Sequence, residues 1–279
     1  LSFFTDIGRD DSANKKAVNM IGFIGGGKMA ESLIKGIVKQ GNKNIVIFDI
    51  QEQRRLHIET SYGVKTTESN QDVVDLCEII ILAVKPQDMI TVLDEITNSV
   101  TKEKTIVSIA AGIKLDFFQK KLKTKKIVRV MPNIASIEQE GMTLISFSKF
   151  FPFHEASTIE KLFMSVGKIL IIDEKKINAF STISGSGPAF LALFMETLIE
   201  AGIKMGLEKD LVTEATLQTL IGTAKLLETG MLPTQLRKMV TSPGGTTEEG
   251  IRVFNEKDLK EITASALRAS LRKAEELGK

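Results

Sequence analysis

The sequence predicts an α/β domain built on a parallel sheet, followed by an all-α domain. Two observations carry this. Short Ile/Val-rich runs alternate with longer amphipathic stretches from Met20 onward, the signature of strand–helix units. After Asp173 strand signals stop and helical periodicity continues to the end. The expected division is 1–19 as a disordered extension, 20–172 as the α/β domain and 173–279 as the helical domain.

The runs Met20–Ile24, Asn44–Phe48, Ile79–Val84, Thr105–Ile109 and Ile127–Val130 read as strands, apolar without alternation because helices would cover both faces of the sheet. Helices are expected between them at Lys28–Gln40, Gln51–Thr60, Pro86–Thr97 and Lys114–Leu122. Met142–Phe147 and Lys168–Ile172 extend the sheet, with a helix at Phe153–Ser165 between them. In the second part Leu191, Phe194, Met195, Leu198 and Met205 recur at helical spacing, and Leu211–Thr229 and Asp258–Leu277 read the same way. The first nineteen residues mix Phe3 and Phe4 with Asp6, Arg9, Asp10 and Asp11 and lack a sustained apolar run, which fits an extension ahead of a start at Met20.

Composition narrows the chemistry. The 279 residues are 43% hydrophobic and 26% charged, ordinary for a globular protein, and 37 basic against 35 acidic residues leave +2, too balanced for a general nucleic-acid binder. One cysteine, Cys77, and two histidines, His57 and His154, argue against a zinc centre or a histidine-dependent triad, so the chemistry is expected to belong to a bound cofactor. The longest uncharged stretch, Asn178 to Met195, is polar and helix-breaking in its first half, so no membrane span is expected and the cytoplasm is the default compartment. The lysine run Lys120, Lys121, Lys123, Lys125 and Lys126 reads as a solvated helix end.

The most informative turn is Gly25-Gly26-Gly27-Lys28-Met29-Ala30, directly after Ile24. As G-x-G-x-x-A between an apolar strand and an amphipathic helix, it matches a Rossmann-type dinucleotide turn. Gly25 permits the tight turn, Gly27 lets a pyrophosphate approach the backbone, and Ala30 lets the helix pack closely. The helix N-terminus offers free N–H groups to the phosphates. Asp49, at the end of the second strand, suits the ribose hydroxyls of NAD, whereas Arg54 and Arg55 suit a 2′-phosphate, with a solvated helix face as the plainer reading of both arginines. The cofactor is therefore expected to be NADP or NAD.

Ligands in such sheets gather beyond the carboxyl ends of the strands. Ala83-Val84-Lys85-Pro86, Ile109-Ala110-Ala111-Gly112 and Arg129-Val130-Met131-Pro132-Asn133 occupy three such ends. In the helical part Ser184-Gly185-Ser186-Gly187-Pro188-Ala189-Phe190 reads as the opening of a long helix, with a cap-like Ser and an early Pro. Thr246 and Glu249 fit a capping box after Thr241-Ser242-Pro243-Gly244-Gly245. That helix start, lined by the Ser242, Thr246 and Thr247 hydroxyls, is suited to a carboxylate.

Taken together, the glycine turn, Ala83-Val84-Lys85-Pro86-Gln87, Arg129 to Asn133, Ser184 to Ala189 and Val240 to Thr247 resemble the pyrroline-5-carboxylate reductase family from about Met20 to the C-terminus. The resemblance implies a Rossmann domain followed by a helical domain that interlocks with its twin, giving a homodimer or a higher homo-oligomer. It implies that Ile24, Gly25, Gly26, Gly27, Lys28, Met29, Asn70, Ala83, Val84, Lys85, Pro86, Ile109, Ala110 and Ala111 line the dinucleotide, with Glu174 toward the nicotinamide end. Ser242, Gly245, Thr246 and Thr247 would hold the substrate carboxylate, with Thr247 beside the ring nitrogen as the catalytic residue. The chain departs from the family at Leu232, where many members carry a histidine before the proline.

The implied reaction moves a hydride from the nicotinamide to the C=N carbon of 1-pyrroline-5-carboxylate, giving L-proline, and it accounts for the scarcity of acid–base residues because a protonated imine already accepts hydride. Two other readings compete with it. A β-hydroxyacid dehydrogenase-like enzyme would need a lysine on the helix after Gly187-Pro188, and Ala189 to Ile203 contains none. A noncatalytic dinucleotide sensor would have no need of the Ser242-to-Thr247 corner.

Overall fold

The computed structural model describes residues 20–278, so the extension expected at 1–19 lies outside the described residues. The chain forms two compact units that divide between Ile177 and Asn178.

The first unit runs β1 (Ile21–Ile24), α1 (Lys28–Lys39), β2 (Ile45–Phe48), α2 (Glu52–Tyr62), β3 (Lys65–Thr66), α3 (Asn70–Leu76) and β4 (Ile79–Leu82). A 3₁₀ turn at Pro86–Asp88 then leads into α4 (Met89–Ile96), followed by β5 (Thr105–Ser108), α5 (Leu115–Lys121) and β6 (Ile127–Met131). A second 3₁₀ segment, Ile134–Glu138, precedes β7 (Gly141–Phe147), α6 (Phe153–Met164) and β8 (Gly167–Ile171); α7 (Glu174–Ser184) then crosses the division, its first turn in the first unit and the rest in the second. The eight strands form one sheet in the order β3-β2-β1-β4-β5-β6-β7-β8.

The sheet is mixed, not wholly parallel. β1 to β6 pair in parallel, β7 runs antiparallel to β6, and β8 is parallel to β7. Link lengths explain the switch: a parallel crossover needs a dozen or so residues, and only the short 3₁₀ segment lies between β6 and β7, whereas α6 lies between β7 and β8. Along β1 and β4 successive residues enter opposite cores: Ile21, Phe23, Ile79 and Ile81 face one cluster, and Ile24, Ile80 and Leu82 the other. Burial on both faces is why these strands read as unbroken apolar runs.

β3 and α3 were not expected from the sequence. β3 is a two-residue edge pairing, and α3 buries only Asn70, Val73 and Val74. α3 is nonetheless well started, since the Ser69 hydroxyl accepts the Asp72 N–H at 3.1 Å. It packs so closely on β1 that a Cβ at Gly22 would stand 2.5 Å from the Val73 side chain. The lysine run is less solvated than expected: Lys126 pairs with Glu155 at 2.5 Å and Lys121 with Asp94 at 2.9 Å.

The second unit contains α8 (Gly187–Lys204), α9 (Lys209–Glu228), α10 (Pro233–Met239), α11 (Thr246–Glu256) and α12 (Leu259–Leu277). α8 and α9 approach at Gly202, where a Cβ would lie 2.5 Å from Val212 Cγ2. Large apolar side chains on these helices, among them Phe190, Leu191, Phe194 and Leu198, are exposed.

α8 opens within the expected segment: Ser186 occupies its cap position, without a side-chain hydrogen bond there, and Pro188 lies in its first turn, while Ser184 ends α7 with its hydroxyl donating to the Phe180 carbonyl at 3.3 Å. One stretch, Glu174–Lys204, has the length and apolar composition of a membrane span, with a mean hydropathy of 1.3 over its most apolar window, a test that a helix of a soluble protein also passes. The turn at Gly185-Ser186 nevertheless divides it into α7 and α8.

Candidate active site

The glycine turn joins β1 to α1. Gly25 adopts φ +97°, and a Cβ there would stand 2.8 Å from the Ala83 carbonyl oxygen, so both conformation and space require glycine. Its N–H donates to the Phe48 carbonyl at 2.8 Å, and the Ala83 N–H donates to the Ile24 carbonyl at 2.8 Å, which ties the turn to the ends of β2 and β4. A Cβ at Gly27 would meet nothing within 4 Å. The turn thus presents open backbone at the start of α1, whose cap residue Gly27 offers no side chain to the first N–H groups.

Parallel register places Ile24 beside Leu82, and Leu82 beside Ser108. The residues that follow these strands, Gly25 to Met29, Ala83 to Pro86 and Ile109 to Ala111, therefore share one edge of the sheet. Among them Gly27, Lys28, Lys85, Pro86 and Ala111 are exposed, while Gly26 and Ala110 are buried. Asn70, 7% exposed, donates to Glu95 Oε2 at 2.6 Å, yet its own carbonyl oxygen is buried with no hydrogen-bond partner. An orphan acceptor of this kind and the empty space above Gly27 both fit a bound dinucleotide.

Asp49 follows β2 and reaches back to the turn, its Oδ2 accepting the Gly26 N–H at 2.6 Å. Arg54 and Arg55 are not a solvated helix face. Arg54 donates to the Gly26 carbonyl and to Glu31, and Arg55 donates to the Asp49 backbone carbonyl and to Glu68. Glu31 gathers Arg54, His57 and Tyr62 about one carboxylate, with His57 Nε2 at 2.8 Å and the Tyr62 hydroxyl donating at 3.0 Å. Partial burial pushes the Glu31 carboxyl up, but hydrogen bonds from Arg54, His57 and Tyr62 together prevail and hold it at about 2. Sequence reasoning missed this network because its members lie 23 to 31 positions apart, with no local pattern to announce them.

Glu174 accepts the Leu115 N–H at 2.7 Å and lies 3.2 Å from the Arg129 guanidinium, joining β6, the start of α5 and the start of α7.

In the second unit the Ser242-to-Thr247 corner opens α11. Thr246 is not its cap, and the expected capping box does not form. Gly245 occupies the cap position without a side-chain hydrogen bond, and Glu248, not Glu249, folds back to accept the Gly244 N–H at 2.7 Å. The Glu249 N–H is instead used within the helix start, donating to the Gly245 carbonyl at 3.3 Å. Ser242, Thr246 and Thr247 are exposed, and their hydroxyls make no hydrogen bond among the described residues. The corner therefore offers hydroxyls together with the unpaired N–H groups of a helix N-terminus, a donor set suited to a carboxylate.

Comparison with known proteins covers both parts of the chain. A family profile described as pyrroline-5-carboxylate reductase dimerisation matches residues 174–277, and one described as NADP oxidoreductase, coenzyme F420-dependent, matches residues 20–112. Pyrroline-5-carboxylate reductase of Synechocystis is 34% identical over 263 residues, covering 93% of this chain and 98% of the relative. That of Methanosarcina acetivorans is 35% identical over 264 residues, with the same coverage of 93% and 98%. Among solved structures, a pyrroline-5-carboxylate reductase from Coxiella burnetii superposes with a TM-score of 0.88 at 34% identity over 94% of this chain and 99% of that one. The Plasmodium falciparum enzyme, solved with NADP bound, gives 0.84 at 29% identity over 94% and 99%. With the glycine turn in its first unit, the Thr-rich helix start in its second and this likeness along nearly its whole length, the chain belongs to the pyrroline-5-carboxylate reductase family.

Proposed function

We propose that this chain reduces 1-pyrroline-5-carboxylate to L-proline with a reduced nicotinamide dinucleotide, the last step of proline synthesis. The observation that carries the reading is the likeness at 34% identity over 93% of the chain, which takes in both the dinucleotide turn and the hydroxyl-rich corner. The β-hydroxyacid dehydrogenase-like and sensor readings have no comparable support.

The bound nicotinamide supplies a hydride to the C=N carbon of the imine. The protein's share is positioning. Ile24 to Met29 bring open backbone and the α1 N-terminus to the pyrophosphate, while Asp49 and Asn70 serve the adenosine half. Ala83 to Pro86, Ile109 to Ala111 and Glu174 serve the nicotinamide half. Ser242, Gly245, Thr246 and Thr247 hold the substrate carboxylate, and the Thr247 hydroxyl orients the ring nitrogen without acting as a strong acid. This reading gives each exposed hydroxyl of the corner a partner.

The protein works as a homodimer through its helical domain, or as a larger assembly built from it, in the cytoplasm. Exposed Phe190, Leu191, Phe194 and Leu198 are the surface such an interface would cover. Parallel assays of NADH and NADPH oxidation, with and without the cyclic imine, test the activity: imine-dependent oxidation of at least one nucleotide is expected. Absence of any rate above background with both would overturn it.

A further inference from the structure

The sequence leaves two answers at the end of β2: Asp49 suits a free ribose hydroxyl, and Arg54 and Arg55 suit a 2′-phosphate. The structure shows where the arginine donors go. Arg54 places Nε and Nη2 on the Gly26 carbonyl at 2.9 and 2.5 Å, and Nη2 also lies 2.7 Å from Glu31. Arg55 donates Nη1 to the Asp49 backbone carbonyl at 2.8 Å and Nη2 to Glu68 at 3.2 Å, with its guanidinium 5.6 Å from the centre of the Phe48 ring. Arg54 is a strut of the glycine turn, and Arg55 braces the end of β2. Turning either guanidinium wholly toward a phosphate would give up these bonds, which leaves only the donors not used in them, such as Arg54 Nη1 and Arg55 Nε, for a ligand.

Asp49, by contrast, is fixed in place. Its Oδ2 accepts the Gly26 N–H at 2.6 Å and its Oδ1 the Gln51 N–H at 2.8 Å. A carboxylate oxygen can accept more than one hydrogen bond, so both retain capacity toward a ligand. This carboxylate stands at the end of β2, where an acid in this fold meets the ribose 2′-hydroxyl.

We infer that the chain selects the dinucleotide whose adenosine ribose carries a free 2′-hydroxyl, NADH over NADPH, with Asp49 as the selecting residue and Arg54 as a positioning residue of the turn. The inference rests on the dinucleotide-binding reading above. A 2′-phosphate carries nearly two negative charges at neutral pH and would face the Asp49 carboxylate with the nearby guanidinium groups already engaged.

Calorimetric titration of the full chain with NADH and with NADPH, in the absence of imine, tests this without reference to turnover. NADH should bind roughly tenfold tighter or more. Asp49→Asn removes the charge but keeps an acceptor for the Gly26 N–H, and should bring the two affinities within about threefold, chiefly by strengthening NADPH. Arg54→Ala should weaken both nucleotides alike. Equal or tighter binding of NADPH by the unaltered chain overturns the inference, as does an unchanged ratio in Asp49→Asn. Loss of NADPH binding alone in Arg54→Ala would make that arginine a phosphate ligand and overturn its positioning role. If neither nucleotide binds the unaltered chain, the dinucleotide reading itself falls.

Discussion

The Glu174 carboxylate lies 3.2 Å from the Arg129 guanidinium and also accepts the Leu115 N–H at 2.7 Å. The Arg129 side chain is 4% exposed and that of Glu174 25%, so the pair is dry on one side and wet on the other. Breaking such a pair costs more than an exposed ion pair is worth, because the drier charge loses a partner and the α5 N-terminus an acceptor. Glu174→Ala should destabilise the protein by about 2 kcal/mol and Glu174→Gln by about half of that, measured by urea denaturation at fixed protein concentration. Dinucleotide affinity, measured alongside, separates this bracing role from a role at the nicotinamide end. Unchanged stability with weakened binding would leave only the second.

Acid should act on the cluster beneath the glycine turn. The Glu31 carboxyl is held at about 2 against an ordinary 4.5, through hydrogen bonds from Arg54, His57 and Tyr62 that outweigh its partial burial. A carboxyl depressed on folding contributes stability that is complete above its unfolded value and is lost as pH falls through the folded one. With Glu31 22% exposed, solvent screening leaves on the order of 1 kcal/mol from this source. Stability should therefore decline between about pH 5 and pH 2 by that amount more in the unaltered protein than in Glu31→Gln. Coincident acid limbs for the two proteins would remove Glu31 from the account.

These two networks also mark what sequence reading can reach. The strands were legible because burial on both faces leaves apolar runs such as Ile21–Ile24 and Ile79–Leu82. The glycine turn was legible because φ at Gly25 and the approach of Ala83 admit no side chain there. β3 was not, since Lys65 and Thr66 form a short polar edge with no run to read. The reversal at β7 follows from the shortness of the link after Met131, a constraint that local periodicity does not express. Thr246 and Glu249 satisfied a capping pattern, yet the helix starts one residue earlier, with Gly245 as its cap and Glu248 reaching back to the Gly244 N–H. Arg54 looked like a surface residue because its partners Gly26 and Glu31 are distant in sequence.

Thr247 tests the substrate half separately from the cofactor half. Its hydroxyl makes no hydrogen bond among the described residues, and the side chain is exposed at the start of α11. Thr247→Ala should therefore fold normally and bind dinucleotide with nearly unchanged affinity. Turnover of the imine should fall by roughly tenfold to a hundredfold, the range expected for losing one hydrogen bond to a charged reacting group. Steady-state kinetics with saturating imine supply the check, and wild-type turnover would remove Thr247 from the chemistry.

Gly25 and Gly27 make a paired test of the turn, since the same substitution should fail for opposite reasons. At Gly25 alanine must adopt φ +97° and place its Cβ 2.8 Å from the Ala83 carbonyl oxygen, so strain and collision fall on the folded protein itself. Gly25→Ala should lower stability by about 2 kcal/mol or more and weaken the dinucleotide only through the distorted turn. Gly27 has φ −64° and ψ 174°, values open to any residue, and a Cβ there meets nothing within 4 Å. Gly27→Val should therefore leave the melting temperature close to wild type. It would fill the space that the open backbone offers a pyrophosphate, and dinucleotide affinity should drop by roughly tenfold or more. Thermal melts with and without NADH separate the two behaviours: Gly25→Ala melts early but is still stabilised by ligand, and Gly27→Val melts normally but gains little from it. Full ligand stabilisation of a well-folded Gly27→Val would mean that the phosphates do not pass over Gly27.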